Sequence, residues 1–471
     1  MPGLLASLYL ILGALIVAVE IQRIRGGRLI DALFLFNCAY FLFFVFVPLN
    51  VLTFGEDVVR QKYAYQTWSH GDVWTALALM LSYAAFVLGY FRKKNIHKVA
   101  YNSVCNGKEY AIYPALWLIG GFFAIGALSL VYHINLVGGI VETLKLAPRV
   151  RTGEFQLEGS FLFVRQFAYF LATAFMLSWA VYIDAAEADR KFLGWCWFLL
   201  MLLGIVFVYY ALSTYGRREF LYTFIICFLV WVSARRYRKW GGLAWLLALY
   251  GLWFVLYSIW IPSTVQATTT VQATTVQATT VQVAIEFLWD AYLRTTQGLA
   301  DSFMHFVAAQ HATLWQFGFL SDLWEIPAHF VPSQLLGFER PRGMLGQTSE
   351  FILGRPLEHG LSGEEPLGLH GYLLVNFSYI GMFLIFYLLG VGYRFIDTVL
   401  RPDGSGSALN WLMFFWATVG ALEFLRDGYL IFVLKFRFSW WLAMSVLLWS
   451  SWRLSQRRTF SCNTSTKIDE S

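Results

Sequence analysis

The chain has 471 residues, of which 58% are hydrophobic, 19% aromatic and only 14% charged, with a formal net charge of +6. A soluble protein carries about 25% charged residues, so this composition excludes an ordinary soluble enzyme. Many uncharged apolar runs approach the ~20 residues that cross a bilayer core of about 30 Å, which predicts an all-α polytopic membrane protein.

The apolar runs define about eleven transmembrane helices. In chain order the predicted spans are residues 4–22, 29–52, 72–91, 112–133, 160–183, 192–212, 219–234, 242–261, 369–393, 408–425 and 429–452. The domain prediction is a first part of the transmembrane bundle with about eight spans, an external loop, a last part with about three spans, and a cytoplasmic tail. Their boundaries are residues 1–261, 262–368, 369–452 and 453–471.

Basic residues orient the predicted spans. More than half of the 35 Lys and Arg residues lie in every second connection and in the tail, as in "FRKKN" from Phe91 and "ARRYRKW" from Ala234. Short segments rich in Lys and Arg stay in the cytoplasm, so the amino terminus is predicted outside and the carboxyl tail inside. The external side then carries residues 53–71, residues 134–159 and the long loop 262–368.

The long external loop has two recognisable parts. Residues 262–283 hold a low-complexity VQATT repeat, whose period of five matches neither a helix face nor a strand face and is interpreted as a spacer. Residues 284–316 carry polar side chains three or four positions apart, which predicts amphipathic helices. These side chains are Glu286, Asp290, Arg294, Gln297, Asp301 and His305. Two interpretations stay open: a helix lying on the membrane with one wet face, or a polar stripe facing a substrate.

Two adjacent arginines raise the first functional question. Arg217 and Arg218 lie in "STYGRREFLYT", between two apolar runs and on the side predicted to be external. The distance from Arg218 to Arg235 along a helix is about 25 Å at a rise of 1.5 Å per residue, shorter than the bilayer core of about 30 Å. The two arginines are therefore expected below the outer membrane surface.

Further cations are expected at the same depth. The same helical rise places Arg165, Lys435 and Arg437 near the outer rim, and Arg426 lies in the short external turn "EFLRDGY". The outer loops add Arg151 in "APRVRTGE" and Arg340 and Arg342 in "FERPRG". One interpretation is snorkelling cations paired with the nearby acids Glu219, Glu423 and Asp427. The other is a site for a phosphate-bearing lipid head group, whose geometry suits the guanidinium fork.

The sequence lacks the motifs of metal and nucleotide chemistry. The five cysteines form neither a metal-binding spacing nor a disulfide framework. Neither a GxxxxGK[ST] loop nor an HExxH motif is present, so no metal and no cofactor are expected. An external enzyme without nucleotides needs an activated substrate. A lipid diphosphate-sugar supplies that activation, and arginines neutralise its departing diphosphate.

Three stretches resemble the bacterial O-antigen or oligosaccharide repeat-unit polymerases of the Wzy type. They are "LSTYGRREFLYTF", the late external loop with "ERPRG", and "LHGYLLVNFSYIGMFLIFYLLG". The resemblance implies a GT-C-like architecture of membrane helices with an external loop. It also implies a glycosyltransferase of the lipid-donor class, which moves a glycan from undecaprenyl diphosphate onto another lipid-linked repeat unit.

The resemblance extends more distantly to the O-antigen ligases. Those enzymes carry a histidine, a polar residue, nine further residues and a glycine. His370, Gly371 and Gly381 repeat this spacing, with glycine in place of the polar residue. The resemblance implies that His370 is the general base for a sugar hydroxyl. Glu364 and Glu365 in "LEHGLSGEEPLGLH" lie close to His370 in sequence, and one of these carboxylates, with Glu364 as the candidate, is expected to orient its ring. An interfacial histidine and a solvated loop acid are the alternatives, and the acidic pair Glu56 and Asp57 is a second candidate base.

The predicted function is polymerisation of lipid-linked repeat units on the periplasmic face of the bacterial inner membrane. Arg217, Arg218, Arg426 and Arg165, with the loop residues Arg151, Arg340 and Arg342, are the predicted diphosphate and substrate ligands. The expected partners are undecaprenyl-diphosphate-linked oligosaccharide as donor and acceptor, the bilayer, a chain-length regulator and a flippase, with no nucleic acid. The alternatives are an O-antigen ligase and a lipid-linked oligosaccharide flippase. A flippase is expected to carry charges through the full depth of the membrane.

Overall fold

A computed structural model gives the fold of the chain. It describes residues 2–25, 30–55, 71–92, 112–152, 162–185, 190–214, 217–234, 243–252, 300–310, 367–402, 406–428 and 437–450. Of these residues 94% are helical, and none of them forms a strand. The expected all-α class is confirmed.

Thirteen helices are numbered here in chain order over the described residues. They are α1 (Pro2–Arg25), α2 (Ala32–Phe54), α3 (Val73–Phe91), α4 (Ile112–Val137), α5 (Ile140–Thr152), α6 (Phe170–Asp184), α7 (Arg190–Ser213), α8 (Arg217–Ser233), α9 (Leu243–Leu252), α10 (residues 300–310), α11 (Gly368–Val399), α12 (Ala408–Asp427) and α13 (Phe438–Ser450). A 3₁₀ helix, Leu162–Tyr169, leads into α6, and α2 contains a π-helical turn at Leu42–Phe46.

The helices match the predicted spans closely. Within the described residues, 8 helices are long and apolar enough to cross a membrane, and each coincides with a predicted span. The shorter apolar helices α8, α9 and α13 lie inside the other three. Large apolar side chains face outward, with Trp117 84% and Ile380 81% exposed, as expected for surfaces that contact lipid rather than water. The protein is therefore a polytopic membrane protein.

The chain divides into two compact units, each assembled from separate segments. Unit 1 comprises Met1–Asn95, Gln272–Asp397 and Thr418–Lys435. Unit 2 comprises Ile96–Val271, Thr398–Ala417 and Phe436–Ser471.

In unit 1, α3 and α11 cross with their backbones in contact. A Cβ atom added at Gly390 would lie 2.0 Å from the carbonyl oxygen of Phe86, and one at Gly89 would lie 2.0 Å from that of Tyr387. No side chain larger than hydrogen fits at either position, so the two glycines set the distance between the helices. Such close approach through small residues is a common basis of helix association in membranes.

Helix α11 bends at Ser378, which divides it into two parts of different character. Ser378 has φ 62° and ψ −176°, a conformation that residues other than glycine rarely adopt. Every residue from Gly368 to Asn376 is buried, whereas Ile380 and Leu384 after the bend are exposed. The bend thus separates a core segment from a segment with an apolar outer face.

Helix α10 is the described part of the predicted amphipathic region 284–316. Its residues 302–309 are all buried, and Phe303 packs edge-on against Tyr9 at 6.1 Å between ring centroids. Of the predicted polar stripe, Asp301 is half-buried and His305 is only 1% exposed, so His305 does not belong to a wet face. The sequence pattern is polar, but neighbouring helices of unit 1 cover the side chain of His305.

Helix α6 forms the centre of unit 2. All its side chains from Phe170 to Ile183 are buried, and the indole of Trp179 donates to the carbonyl of Cys227 on α8 at 2.9 Å. At one end, the carboxylate of Asp184 accepts from the amide of Ala408 at 2.7 Å and so caps the start of α12. At the other end lie the cations that the sequence singled out.

Candidate functional site

A buried ion pair joins two helix starts in unit 2. Arg437 immediately precedes α13, and its guanidinium makes a bidentate contact with the carboxylate of Glu219 on α8. The side chains are 2% and 12% exposed, respectively. A fork of this kind satisfies both carboxylate oxygens with parallel N–H donors.

Two aromatic rings also contact Arg437. Its guanidinium carbon lies 4.3 Å from the ring centroid of Trp440 and 5.5 Å from that of Tyr222. Stacked rings and a bidentate carboxylate hold the planar guanidinium in one orientation. This pairing was one of the two interpretations of the outer cations, and for Arg437 it is the one observed.

The same end of unit 2 holds a second basic group. Arg165, on the 3₁₀ helix before α6, is exposed. The carbonyl of the preceding residue, Val164, accepts from the hydroxyl of Ser129, which lies one turn before His133 on α4, at 2.6 Å. The imidazole of His133 is buried near the end of α4. Among the described residues no carboxylate pairs with Arg165.

A tyrosine pair connects these two groups. Tyr169, four residues after Arg165, lies with its ring 6.2 Å from that of Tyr210 on α7. On the same helix as Tyr210, Phe207 stacks its ring on that of Phe220, which follows Glu219 on α8, with 5.6 Å between ring centroids. The ends of α4 and α7 and the starts of α6, α8 and α13 therefore meet in one polar region, which we call the rim cluster: His133, Arg165, Tyr210, Glu219 and Arg437.

Several predicted ligands are described only in part or not at all. Arg217 and Arg218 form the first turn of α8, and Arg151 lies in the last turn of α5, but only their backbones are described. Arg340, Arg342 and Glu364 lie outside the described residues, as do Glu56, Asp57, Lys435 and the VQATT repeat.

In unit 1, the structure brings the predicted residues Arg426 and His370 to adjacent helix ends. The backbone carbonyl of Arg426 accepts from the hydroxyl of Ser302 at 3.1 Å, and a Cβ atom at Gly368 would lie 3.2 Å from that carbonyl. The Arg426 side chain is 27% exposed and lies 3.7 Å from the carboxylate of Asp427. The sequence leaves two interpretations open for Arg426, a ligand of the substrate or a snorkelling cation paired with a nearby acid such as Asp427.

His370 itself is enclosed by aromatic rings rather than standing at an open interface. It is 1% exposed, with ring centroids 4.5 Å from Phe44, 5.3 Å from Phe306 and 4.3 Å from Phe386. Apolar rings of this kind pack an imidazole firmly. A sugar hydroxyl therefore reaches the imidazole only if these side chains move.

Hydrogen bonding assigns the tautomer of His370. The Tyr40 hydroxyl donates its hydrogen to the carbonyl of Leu79 at 2.8 Å and lies 3.1 Å from Nε2 of His370. Since that hydrogen is already used, Nε2 carries the proton and donates to Tyr40, which leaves a lone pair on Nδ1. Nδ1 has no partner among the described residues. The imidazole thus has the form of a base, and its catalytic role stays a prediction.

Sequence reasoning missed two members of the rim cluster, His133 and Tyr210. Both lie inside predicted apolar spans, where an isolated polar ring gives no pattern. The available signal was position, because each lies within a few residues of the predicted outer end of its span.

No protein-family model matches the chain, and neither a curated protein nor a solved structure matches it significantly.

Proposed function

We propose that the protein polymerises lipid-linked oligosaccharide repeat units on the outer face of a bacterial inner membrane. In this reaction the glycan leaves undecaprenyl diphosphate and joins the non-reducing end of another lipid-linked repeat unit. The hydroxyl oxygen of the acceptor sugar bonds to the anomeric carbon of the donor. The bond from that carbon to the diphosphate breaks, and the diphosphate leaves with the electron pair.

One observation carries the proposal. Arg165 belongs to the rim cluster, at the end of unit 2 that the charge distribution predicts to be outside. Its side chain is exposed, and none of the described carboxylates pairs with it. The only carboxylate of the cluster, Glu219, is already engaged by Arg437. A membrane-embedded basic site on that side suits a lipid diphosphate, whose negative charge grows as the glycan leaves.

The residues have distinct proposed roles. Arg165 binds the diphosphate together with Arg217 and Arg218, while Arg437 and Glu219 fix the start of α8, the helix that carries those two arginines. The resemblance implies that the proton of the acceptor hydroxyl goes to His370. Glu364, which is close to His370 in sequence, is the residue proposed to orient its ring. Arg426, Arg151, Arg340 and Arg342 remain proposed ligands of the donor or acceptor.

The test is lipopolysaccharide analysis by gel electrophoresis in a host deleted for the gene. We expect the polymer ladder to collapse to single repeat units on the core, and wild-type plasmid to restore it. Arg218→Ala and Arg165→Ala are expected to abolish the ladder at normal protein levels. Lys145→Ala, which removes an exposed cation from α5, serves as the matched control.

The same gel separates the alternatives. Unsubstituted core, with repeat units retained on their lipid carrier, would refute the polymerase proposal. Accumulation of those units on the outer face would then indicate a ligase, and accumulation on the inner face a flippase.

A further inference from the structure

The first segment of α11, residues 368–377, lies between two left-handed backbone positions. Gly368 begins the helix with φ 68°, and Ser378 ends the segment with φ 62°. A left-handed residue interrupts a right-handed helix, so the segment is not continuous with a rigid helix at either end. The conformation of Ser378 is also costly, because glycine is the residue that adopts it readily. The segment is therefore a short helix with a backbone turning point at each end.

Both ends of this segment are held by close contacts. A Cβ atom at Gly428 would lie 2.4 Å from the carbonyl oxygen of Gly368, and one at Gly368 would lie 3.3 Å from that of Ser302. Just beyond the bend, the hydroxyl of Tyr379 accepts from the side-chain amide of Gln310 at 3.0 Å. Because these contacts fix the two ends, the motion left to the segment is rotation about its own axis.

The contact of the segment with α10 does not oppose such a rotation. A Cβ atom at Gly371 would lie 3.4 Å from the Cβ of Ala309 and 3.4 Å from the carbonyl oxygen of His305. Since Gly371 has only a hydrogen there, the segment can turn against α10 without withdrawing a side chain from it. Towards α2, the contact of 3.1 Å between Nε2 of His370 and the Tyr40 hydroxyl holds the segment in the orientation observed.

The observed orientation hides the nitrogen that the proposed reaction uses. Nδ1 of His370 has no hydrogen-bond partner, and the residue is 1% exposed. The rings of Phe44, Phe306 and Phe386 lie within 5.3 Å of the imidazole, measured between centroids. Buried polar atoms are paired in most native structures, so an unpaired one requires an explanation. A second orientation, in which Nδ1 meets a hydroxyl, provides it.

We propose that residues 368–377 form a gate, which turns between Gly368 and Ser378 and so presents Nδ1 of His370 to the acceptor hydroxyl. The turn breaks the hydrogen bond to Tyr40 and relieves the strain at Ser378, and the relief offsets part of the loss. The inference rests on the proposed function for the identity of the molecule that reaches His370. The rotation itself is a property of unit 1 and can be tested without any substrate.

A reversible cross-link tests the gate. Gly371→Cys combined with Ala309→Cys gives Cβ atoms 3.4 Å apart, close to the roughly 3.5–4.5 Å that a disulfide joins. The full chain in lipid nanodiscs, wild type or double variant, is treated with diethyl pyrocarbonate, which modifies accessible neutral imidazoles. Peptide mass spectrometry then gives the rate of modification at each histidine, with the double variant measured in its oxidised and reduced forms.

We expect His370 to react in the wild type and in the reduced double variant, and about tenfold or more slowly in the oxidised form. His133, which is buried in unit 2, should react at the same rate in both forms and is the internal reference. Equal rates at His370 in the two forms would overturn the gate, and so would a His370 that does not react in the wild type.

A pair of tyrosine variants tests the contact that holds the gate. Tyr40→Phe removes the hydroxyl next to His370 and should raise the rate of modification at His370 by about threefold or more. Tyr83→Phe is the matched control, because its buried hydroxyl donates to Asn37 at 3.0 Å and not to the gate. The same rate at His370 in both variants would contradict the role of Tyr40.

Failure of the gate is distinct from failure of the proposed function. If His370 responds to the cross-link but deletion of the gene leaves the polysaccharide ladder unchanged, the gate stands and the polymerase is refuted. If deletion collapses the ladder but His370 never reacts, the polymerase stands and the gate is refuted.

Discussion

The pair of Arg437 and Glu219 should be strongly coupled in the free energy of unfolding. The perturbations are Arg437→Met, Glu219→Gln and the double variant. Each single change leaves the other side chain charged, without this partner and largely buried, because the two side chains are 2% and 12% exposed. The double change removes both charges and keeps most of the side-chain volume.

The magnitude follows from burial and geometry. Removal of one member of a buried pair costs about 3–5 kcal/mol, because the remaining charge stays desolvated and unpaired. Arg437→Met also loses the stacking over Trp440 at 4.3 Å, worth about 1 kcal/mol. The double variant is therefore expected to lose less stability than the sum of the singles, with a coupling energy of about 2–3 kcal/mol.

The assay is equilibrium unfolding of the purified protein in mixed detergent micelles, followed by circular dichroism. A matched control is the pair of Lys145 and Glu142, which lies at a similar distance of 2.8 Å but is 57% and 47% exposed. Solvent screening limits its coupling to about 0.5 kcal/mol or less. If the Arg437 and Glu219 singles were additive, or if both pairs gave the same coupling, the argument from burial would be refuted.

Two further predictions concern the helices of unit 1. Gly390→Ala places a methyl group 2.0 Å from a carbonyl oxygen of the neighbouring helix, so we expect a loss of about 1–3 kcal/mol in unfolding free energy. Gly392→Ala, which meets open space two residues away, should be close to neutral. Ser378→Gly relieves the φ of 62° and should stabilise the protein by about 1 kcal/mol, measured as a higher Tm in detergent. A lower Tm would contradict the assignment of strain.

The sequence by itself determined which parts of the chain are transmembrane. Length and hydropathy are local properties, so the predicted span 72–91 agrees with Val73–Phe91 to within one residue. The same local reasoning predicts α2, which contains a π-helical turn, and the short α8 as spans, because it depends on apolar content and not on helix type. It also drew attention to the arginines at the predicted outer rim, because a charge inside an apolar run is visible without any structure.

The tertiary structure alone decided which polar groups meet. Glu219 and Arg437 are 218 residues apart. The sequence places both near the outer rim and offers pairing as one interpretation, but it does not say which acid meets which cation. The polar stripe through Asp301 and His305 predicted a wet face, yet neighbouring helices bury His305, since the pattern describes a helix and not what surrounds it. The bend at Ser378 occurs without proline, so no residue of the sequence announces it. Hydropathy is a property of each residue and its neighbours in sequence. A site depends on contacts between distant segments, which form only when the chain folds.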